Sequence, residues 1–337
     1  MPRLRRVDCS EPGIRRIRRG RGFSYEAEDG EPVDGETLER IQQLAIPPAW
    51  KEVWICVHSR GHIQATGYDD AGRKQYLYHE RWRAHRDRQK FERMVSFGEA
   101  LPDLRRRLGA DLRRRGLIRE RVLGCAVRLL DLGLFRIGNE QYAEENDTYG
   151  LATLRKRHVR FQRGAAVFDY RAKNSQRHVR VVTDGLVLPT VRALKRRGGG
   201  GPELLAYRDG ARSWTDVRSE HINDYLKEIA GEEFSAKDFR TWNATVLAAV
   251  VLAGHDGLPA TKTARKRAGI AAVKQVAGYL ANTPAVCRRS YIDPRVLDRF
   301  DSGETIKAEI GLVVDASDPC ALPGRDRIER AVLELIR

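Results

Sequence analysis

Cysteine is scarce and scattered in this sequence: five in 337 residues, at positions 9, 56, 125, 287 and 320. No two stand in a Cys-x-x-Cys arrangement, and an odd number cannot all pair with one another. Neither a zinc site nor a disulfide framework is indicated, so a reducing, cytoplasmic setting is expected. No stretch approaches the ~18 consecutive apolar residues that a membrane span requires. The N-terminus, "MPRLRRVDCSEPGIRRIRRGRGF", is basic but lacks the apolar h-region of a signal peptide. Internal repeats and long low-complexity segments are also lacking. Together these absences lead to the expectation of a soluble intracellular protein.

Positive charge, by contrast, is abundant. Sixty-two Lys and Arg face 46 Asp and Glu, giving a formal net charge of +16 and a pI near 9.9. Such a surplus favours a polyanionic partner, nucleic acid first, over a merely basic cytosolic protein. With 41% hydrophobic and 32% charged residues the chain can bury a sizeable core. Its length suits two domains better than one.

A basic arm is expected to about Gly22. "DGETLERIQQLAIPPAW" then has the spacing of a helix, with Leu38, Ile41, Leu44 and Ile46 on one stripe and Pro47-Pro48 as its end. "VWICVHS", "HIQATGYDD" and "RKQYLYHERW" are strand-like, separated by the turn signals "SRG" and "DDAGR". An N-terminal module with a small antiparallel sheet is therefore expected over 1–90, and a mainly helical domain over 91–337. Leu104, Leu108 and Leu112 fall on one face of a helix, and the arginine triplets 105–107 and 113–115 read as a solvated face beside them. The segment 158–182 reads as a small sheet of hairpin-linked strands within the helical domain, and the tetraglycine 198–201 as a flexible surface loop. Ser235 with Asp238 three residues later resembles a capping box opening an apolar helix.

Five polar residues stand where packing gives no obvious reason for them. Arg136 follows Leu134-Phe135, and Lys173 sits at a hairpin turn in "DYRAKNSQRH". Arg240 lies in the first turns of the apolar helix "SAKDFRTWNATVLAA". Asn282 stands at the start of a segment that reaches Tyr291 nine positions later in "RRSYIDP". Taken singly, these are an ion-paired arginine, an exposed lysine, an N-cap and a helix end. Taken together, they suit in-line attack of a tyrosine hydroxyl on a phosphodiester. Two arginine forks neutralise the phosphate charge as it builds, and an asparagine amide donates to a non-bridging oxygen. A lysine protonates the poor 5′-oxygen leaving group, help worth ~10²–10⁴-fold, and the tyrosine holds the covalent intermediate.

The order and local wording of these segments resemble the poxvirus-type and bacterial type IB DNA topoisomerases. "QYLYHERW", "FRIGNEQYAEENDTYGLATL", "KDFRTW" and the Asn-to-Tyr spacing ending in "RRSYIDP" carry the resemblance across nearly the whole chain. It implies an α+β fold, with a small β-rich N-terminal domain and a larger, mainly α-helical catalytic domain containing a small sheet. This is the architecture shared by tyrosine recombinases and type IB topoisomerases. By the same resemblance Arg136 and Arg240 clamp the scissile phosphate, Asn282 stands where many relatives have histidine, and Tyr291 takes the 3′-phosphate. Lys173 is the general acid, alone or together with Arg136. Its "YRAKNSQRH" differs from the family's Gly-Lys-x-Gly-Lys type of turn, but it is the only lysine in 158–182.

The resemblance further implies relaxation of supercoiled duplex DNA of both signs, without metal or nucleotide cofactor, by a monomer that clamps DNA in the nucleoid. In "RKQYLYH", Arg73, Gln75, Tyr76 and Tyr78 are the expected DNA contacts of the N-terminal half-clamp. A glutamine suits adenine in the major groove, whereas Tyr76 and Tyr78, two apart, share one face of a strand and suit a sheet core equally. In "KTARKRAGI", Lys262, Arg265 and Lys266 belong either to a mobile phosphate-contacting loop or to a solvated charge run. A tyrosine recombinase is the nearest alternative, but Lys237 fills the position of the recombinase His in His-x-x-Arg. A non-catalytic DNA clamp is the other alternative, and it would not need Arg136, Arg240 and Tyr291 all present.

Overall fold

A computed structural model describes residues 3–133, 135–138, 140, 143, 147–210, 213–254, 259–306 and 324–337. The chain divides into two compact units, Met1–Lys90 and Phe91–Arg337. The strand-rich first unit and helical second unit make this an α+β protein. Among the described residues no helix is long and apolar enough to cross a membrane.

The first unit is a five-stranded antiparallel sheet in the order β2-β1-β3-β4-β5. Its strands are β1 (Ile14–Arg19), β2 (Gly22–Glu26), β3 (Lys51–Ile55), β4 (Ile63–Tyr68) and β5 (Lys74–Tyr78). The basic arm expected to run to Gly22 therefore ends in a strand of the sheet, Ile14–Arg19. Alternation within "IRRIRR" buries Ile14 while Arg16 donates to the carbonyls of Ile46, Pro47 and Trp50. Helix α1 (Gly35–Gln43) is capped by Asp34, whose side chain accepts from Thr37 N–H at 2.7 Å. It stops short of the Pro47-Pro48 pair, because Ala45 already has a left-handed backbone (φ 48°). Ile14, Ile41, Ile46, Val53, Ile55 and Ala65 form the core of this unit.

Helix α2 (Glu80–Leu112) contributes Phe91, Met94, Phe97, Leu101, Leu104 and Leu108 to the larger core of the second unit. The arginines beside them are not a solvated face throughout. Arg105 is only 15% exposed and binds Asp131 and Glu329, while Arg107 and Arg114 pair with the buried Asp111. Helix α3 (Arg119–Asp131) leads toward Arg136. A three-stranded sheet in the order β6-β7-β8 follows: β6 (Val159–Gln162), β7 (Ala165–Arg171) and β8 (Arg177–Val182). After it come α4 (Val187–Arg196), the hairpin β9 (Ala206–Asp209)–β10 (Ser213–Asp216) and α5 (Ser219–Ala230). The tetraglycine lies at the surface, as expected, with residues 198–200 exposed; Gly199 and Gly200 adopt φ of 78° and 66°, a Cβ on either would meet the Trp214 ring, and Lys156 Nζ donates to Gly199 O.

Helix α6 (Ala236–Ala253) is buried on almost every side, which explains its continuous apolar run. Asp238 accepts from both the N–H and the hydroxyl of Ser235 at 2.8 and 2.9 Å, closing the expected capping arrangement. Around α6 pack α7 (Lys262–Leu280), α9 (Pro294–Ser302) and α10 (Arg325–Ile336), with the short α8 (Pro284–Ser290) against α7. Cys320 and residues 307–323 of the stretch after Asp301 lie outside the described residues, as do Leu134 and parts of the "NEQYAEEN" segment.

Candidate active site

Arg136 is placed by a backbone clip. Leu151 N–H donates to Arg136 O at 2.8 Å and Ala152 N–H to Ile137 O at 2.7 Å. The two strands of the clip touch at glycine: a Cβ on Gly150 would lie 2.3 Å from the Gly138 Cα. Tyr149 N–H continues the chain of bonds to Arg171 O at 2.7 Å, at the end of β7. Two residues later Lys173 opens the tight turn Lys173–Ser175 between β7 and β8, exposed as a hairpin lysine should be. The spacing of "FRIG" and "YGLAT" thus links the Arg136 and Lys173 segments through one set of main-chain bonds.

Asn282 follows the end of α7. Ala281 takes the left-handed conformation (φ 50°), its N–H bonding back to Gly278 O while Asn282 N–H reaches Ala277 O. This closure leaves the last carbonyls of α7 facing three arginines. Arg180 donates to Tyr279 O at 3.2 Å, Arg136 to Leu280 O and Ala281 O at 3.2 and 2.9 Å, and Arg240 to Leu280 O at 3.1 Å. The negative end of the helix dipole thereby offsets the mutual repulsion of the guanidinium groups. Arg136 also donates to Asn282 Oδ1 at 3.0 Å. Burial lowers the Arg136 pKa, and the neighbouring charge of Arg240 lowers it further.

Donors remain over. Arg136 Nε and Asn282 Nδ2 are buried and have no hydrogen-bond partner among the described residues. Unmatched buried donors of this kind are costly unless an acceptor uses them. Arg136, Lys173, Gln176, Asn282, Thr283 and Val286 line one cavity of about 500 Å³. Asn282 is not a helix cap, because Thr283 fills that position for α8 with Pro284 behind it.

Tyr291 ends α8, its N–H on Cys287 O at 3.0 Å. The Arg240 guanidinium lies over its ring, 5.2 Å from the centroid. "IDP" then starts the next helix rather than stopping one: Asp293, fully buried, accepts from Arg295 N–H and from its guanidinium. The structure thus brings Arg136, Arg240, Asn282 and Tyr291 around the end of α7, with Lys173 sharing a cavity with Arg136 and Asn282. An oxyanion site beside a tyrosine is what this arrangement offers chemically.

Against this geometry, a model of the catalytic core of eukaryotic DNA topoisomerase I matches residues 79–310. A model of the N-terminal domain of bacterial DNA topoisomerase IB matches residues 22–69. The DNA topoisomerase 1B of Acanthamoeba polyphaga mimivirus is 30% identical over 297 residues, covering 86% of this chain and 88% of its own. The chain belongs to the type IB DNA topoisomerases. Vaccinia virus (strain Copenhagen) DNA topoisomerase 1B is 19% identical over 273 residues, 79% of this chain and 82% of its own. Schizosaccharomyces pombe DNA topoisomerase 1 is 31% identical over 161 residues, 47% of this chain and 19% of its own length. The protein is thus an isomerase acting on DNA, as the sequence resemblance implied.

Other side chains of this type IB topoisomerase separate the expected contacts into groups. Tyr76 and Tyr78 are 42% and 39% exposed, with their rings stacked at 6.0 Å, so they are not core residues of the sheet. Gln75 is on the opposite face of β5 and donates to Asp69 at 3.0 Å, the carboxylate that Arg73 also binds and holds at a pKa of about 2. Lys262, Arg265 and Lys266 lie in the first turns of α7, not in a loop. Arg265 is tied to the carbonyls of Asp301 and Pro259 at 2.9 and 3.0 Å, whereas Lys262 and Lys266 are exposed.

Two residues beside the site went unnoticed in the sequence. Thr245, fully buried, donates to Thr241 O and reaches Tyr291 O at 3.3 Å, while accepting from Asp293 N–H at 3.0 Å. His178 lies in β8, and burial together with Arg180, Arg136 and Arg240 pushes its pKa down to about 4. The period-2 alternation of "RHVRVV" was the one signal for His178; Thr245 had none.

Proposed function

We propose that this topoisomerase relaxes supercoils of either sign by cleaving one strand of duplex DNA through Tyr291. The phenolic oxygen attacks the phosphorus, the bond to the 5′-oxygen breaks, and a 3′-phosphotyrosine and a free 5′-hydroxyl result. The duplex then rotates about the intact strand, and the 5′-hydroxyl reverses the reaction. The phosphodiester energy is conserved in the tyrosine ester, so no nucleotide is consumed.

Arg136 and Arg240 hold the non-bridging oxygens and stabilise the charge that grows on them in the transition state. Asn282 Nδ2 donates to the same phosphate. Lys173, reaching the same cavity from the β7–β8 turn, delivers the proton to the departing 5′-oxygen. In the first unit the exposed Tyr76–Tyr78 stack meets the bases or backbone of the duplex. Lys262 and Lys266 contact phosphates. Arg73 and Gln75 join them only by exchanging Asp69 for DNA. The protein acts as a monomer on nucleoid DNA.

The observation that carries this proposal is the unmatched pair Arg136 Nε and Asn282 Nδ2 beside Arg240 and Tyr291. Relaxation of positively and negatively supercoiled plasmid, in EDTA and without ATP, tests it. Wild type relaxes both and Tyr291→Phe neither; relaxation by the Tyr291→Phe protein would overturn the assignment.

A further inference from the structure

Behind the arginines lies a second, buried polar cluster that takes no part in the chemistry described above. Arg325, the first residue of α10, donates through one Nη2 to Asp131 O at 2.9 Å, Asp131 Oδ1 at 3.2 Å and Asn243 Oδ1 at 2.9 Å. Asn243 Nδ2 donates in turn to Asp131 O at 3.2 Å. Both Asp131 and Asn243 are buried, at 0% and 5% exposure. Burial alone would raise the Asp131 pKa, but Arg325, Arg105 and Arg128 outweigh it and keep the carboxylate ionised.

The positions of these partners matter. Asp131 ends α3, five positions before Arg136, and Asn243 lies in α6 three positions after Arg240. Glu329, one turn along α10, accepts from Arg325 Nε, Arg105 and the Trp242 ring N–H at 2.9, 2.6 and 3.2 Å. The connector toward Arg136 is held from a third side as well. Tyr279 OH donates to Gly133 O at 3.2 Å, and a Cβ on Gly133 would lie 3.1 Å from Asn243 Nδ2. The roots of both site arginines, and the helix end that receives them, thus meet at one buried junction that α10 closes.

We propose that Arg325 is a positioning residue: through Asp131 and Asn243 it sets the spacing between the elements that carry Arg136 and Arg240. The C-terminal helix is then part of the support of the phosphate clamp. This rests on the assignment of Arg136 and Arg240 to the scissile phosphate. Small displacements of groups that meet a transition state are costly, and a misplacement of 1 Å can cost about 100-fold in rate. A merely structural role for α10 would instead lower stability with no dependence on the charge of the substrate.

The charge of the phosphate separates the two. Single-turnover cleavage is measured at a site first mapped with wild type, on one duplex with the natural phosphodiester and one with a neutral methylphosphonate there. The proteins are wild type, Arg136→Ala, Arg325→Lys and Asn243→Ala, each checked by thermal melting. Arg325→Lys keeps the buried charge but loses the planar fork that holds Glu329 through Nε while Nη2 joins Asp131 to Asn243. Asn243→Ala breaks the same link without touching the ion pairs, and carries the test if Arg325→Lys does not fold. On the phosphodiester both slow cleavage by about 10–100-fold, and on the methylphosphonate that deficit shrinks toward parity, as it does for Arg136→Ala.

Equal losses on both substrates for Arg325→Lys and Asn243→Ala, with a shrinking loss for Arg136→Ala, would overturn the positioning role and leave the clamp standing. Wild-type rates in both variants would do the same. An Arg136→Ala loss that is identical on both substrates would overturn the clamp itself.

Discussion

Arg136 and Arg240 donate to the same oxygen, the Leu280 carbonyl, at 3.2 and 3.1 Å. Two permanently charged groups converge there because α7 ends there. A cation at a helix C-terminus gains about 0.3–1 kcal/mol, and up to ~2 when partly buried; a hydrogen bond to a charged donor adds about 1.5–3. These terms hold together a cationic centre suited to receiving an anion. Each member of the centre supports a separate expectation.

The Gly138–Gly150 contact leaves no room for a methyl group. Gly150→Ala must push apart the clip that holds the Arg136 carbonyl, at a cost of about 1–3 kcal/mol for such overpacking. Both the melting temperature and the cleavage rate are expected to fall. Gly185→Ala, where a Cβ meets nothing within 4 Å, is the control and leaves both unchanged.

Lys173 is expected to act on the leaving group. Lys173→Ala slows cleavage of a natural strand by ~10²–10⁴-fold. A strand with sulfur at the 5′-bridging position needs no proton to depart, so the variant and wild type should cleave it at similar rates. Persistence of the full defect on the sulfur substrate would move the proton donor elsewhere, with Arg136 first.

The basic stretch opening α7 contains two kinds of cation. Arg265 is bonded to main-chain carbonyls, so Arg265→Ala is expected to lower the melting temperature. The Lys262→Ala/Lys266→Ala double variant leaves melting unchanged but weakens duplex binding, and reduces the slope of log affinity against log salt by about one per lysine. An unchanged slope would place these lysines away from DNA.

Acid should destabilise the second unit in a defined window. His158 and His178 both titrate near 4, chiefly because they are buried and then because arginines surround them. The unfolded chain binds their protons first, so stability is full above about 6.5 and is lost as pH falls toward 4, with no further loss from these groups below that. Thermal melting of a His158→Gln/His178→Gln variant should be flatter across that window than wild type.

Periodicity and turn chemistry made much of the fold legible. Alternation marked β3 to β5, the Ser235–Asp238 pair marked the start of α6, and an unbroken apolar run marked its burial. The β9–β10 hairpin escaped notice because its strands are short, and the end of α1 because Ala45, not a proline, sets it. Arg105 was misread because a run of arginines beside a leucine stripe gives no sign of carboxylates arriving from Asp131 and Glu329, far along the chain. The candidate site residues were visible as motif words. Their meeting point at the α7 carbonyls was not, since main-chain acceptors leave no mark in sequence. The Gln75–Tyr76 pair shows the same limit: neighbours in a motif point to opposite faces of β5.

Tyr291 remains the decisive group. A duplex designed to lose its 5′-leaving strand after cleavage should trap a denaturant-stable adduct, and mass spectrometry of the digested adduct should find a 3′-phosphoryl oligonucleotide on the peptide containing Tyr291. Tyr291→Phe should form no adduct while binding the duplex as tightly as wild type. An adduct on any other residue, or one that persists in Tyr291→Phe, would contradict the account at its centre.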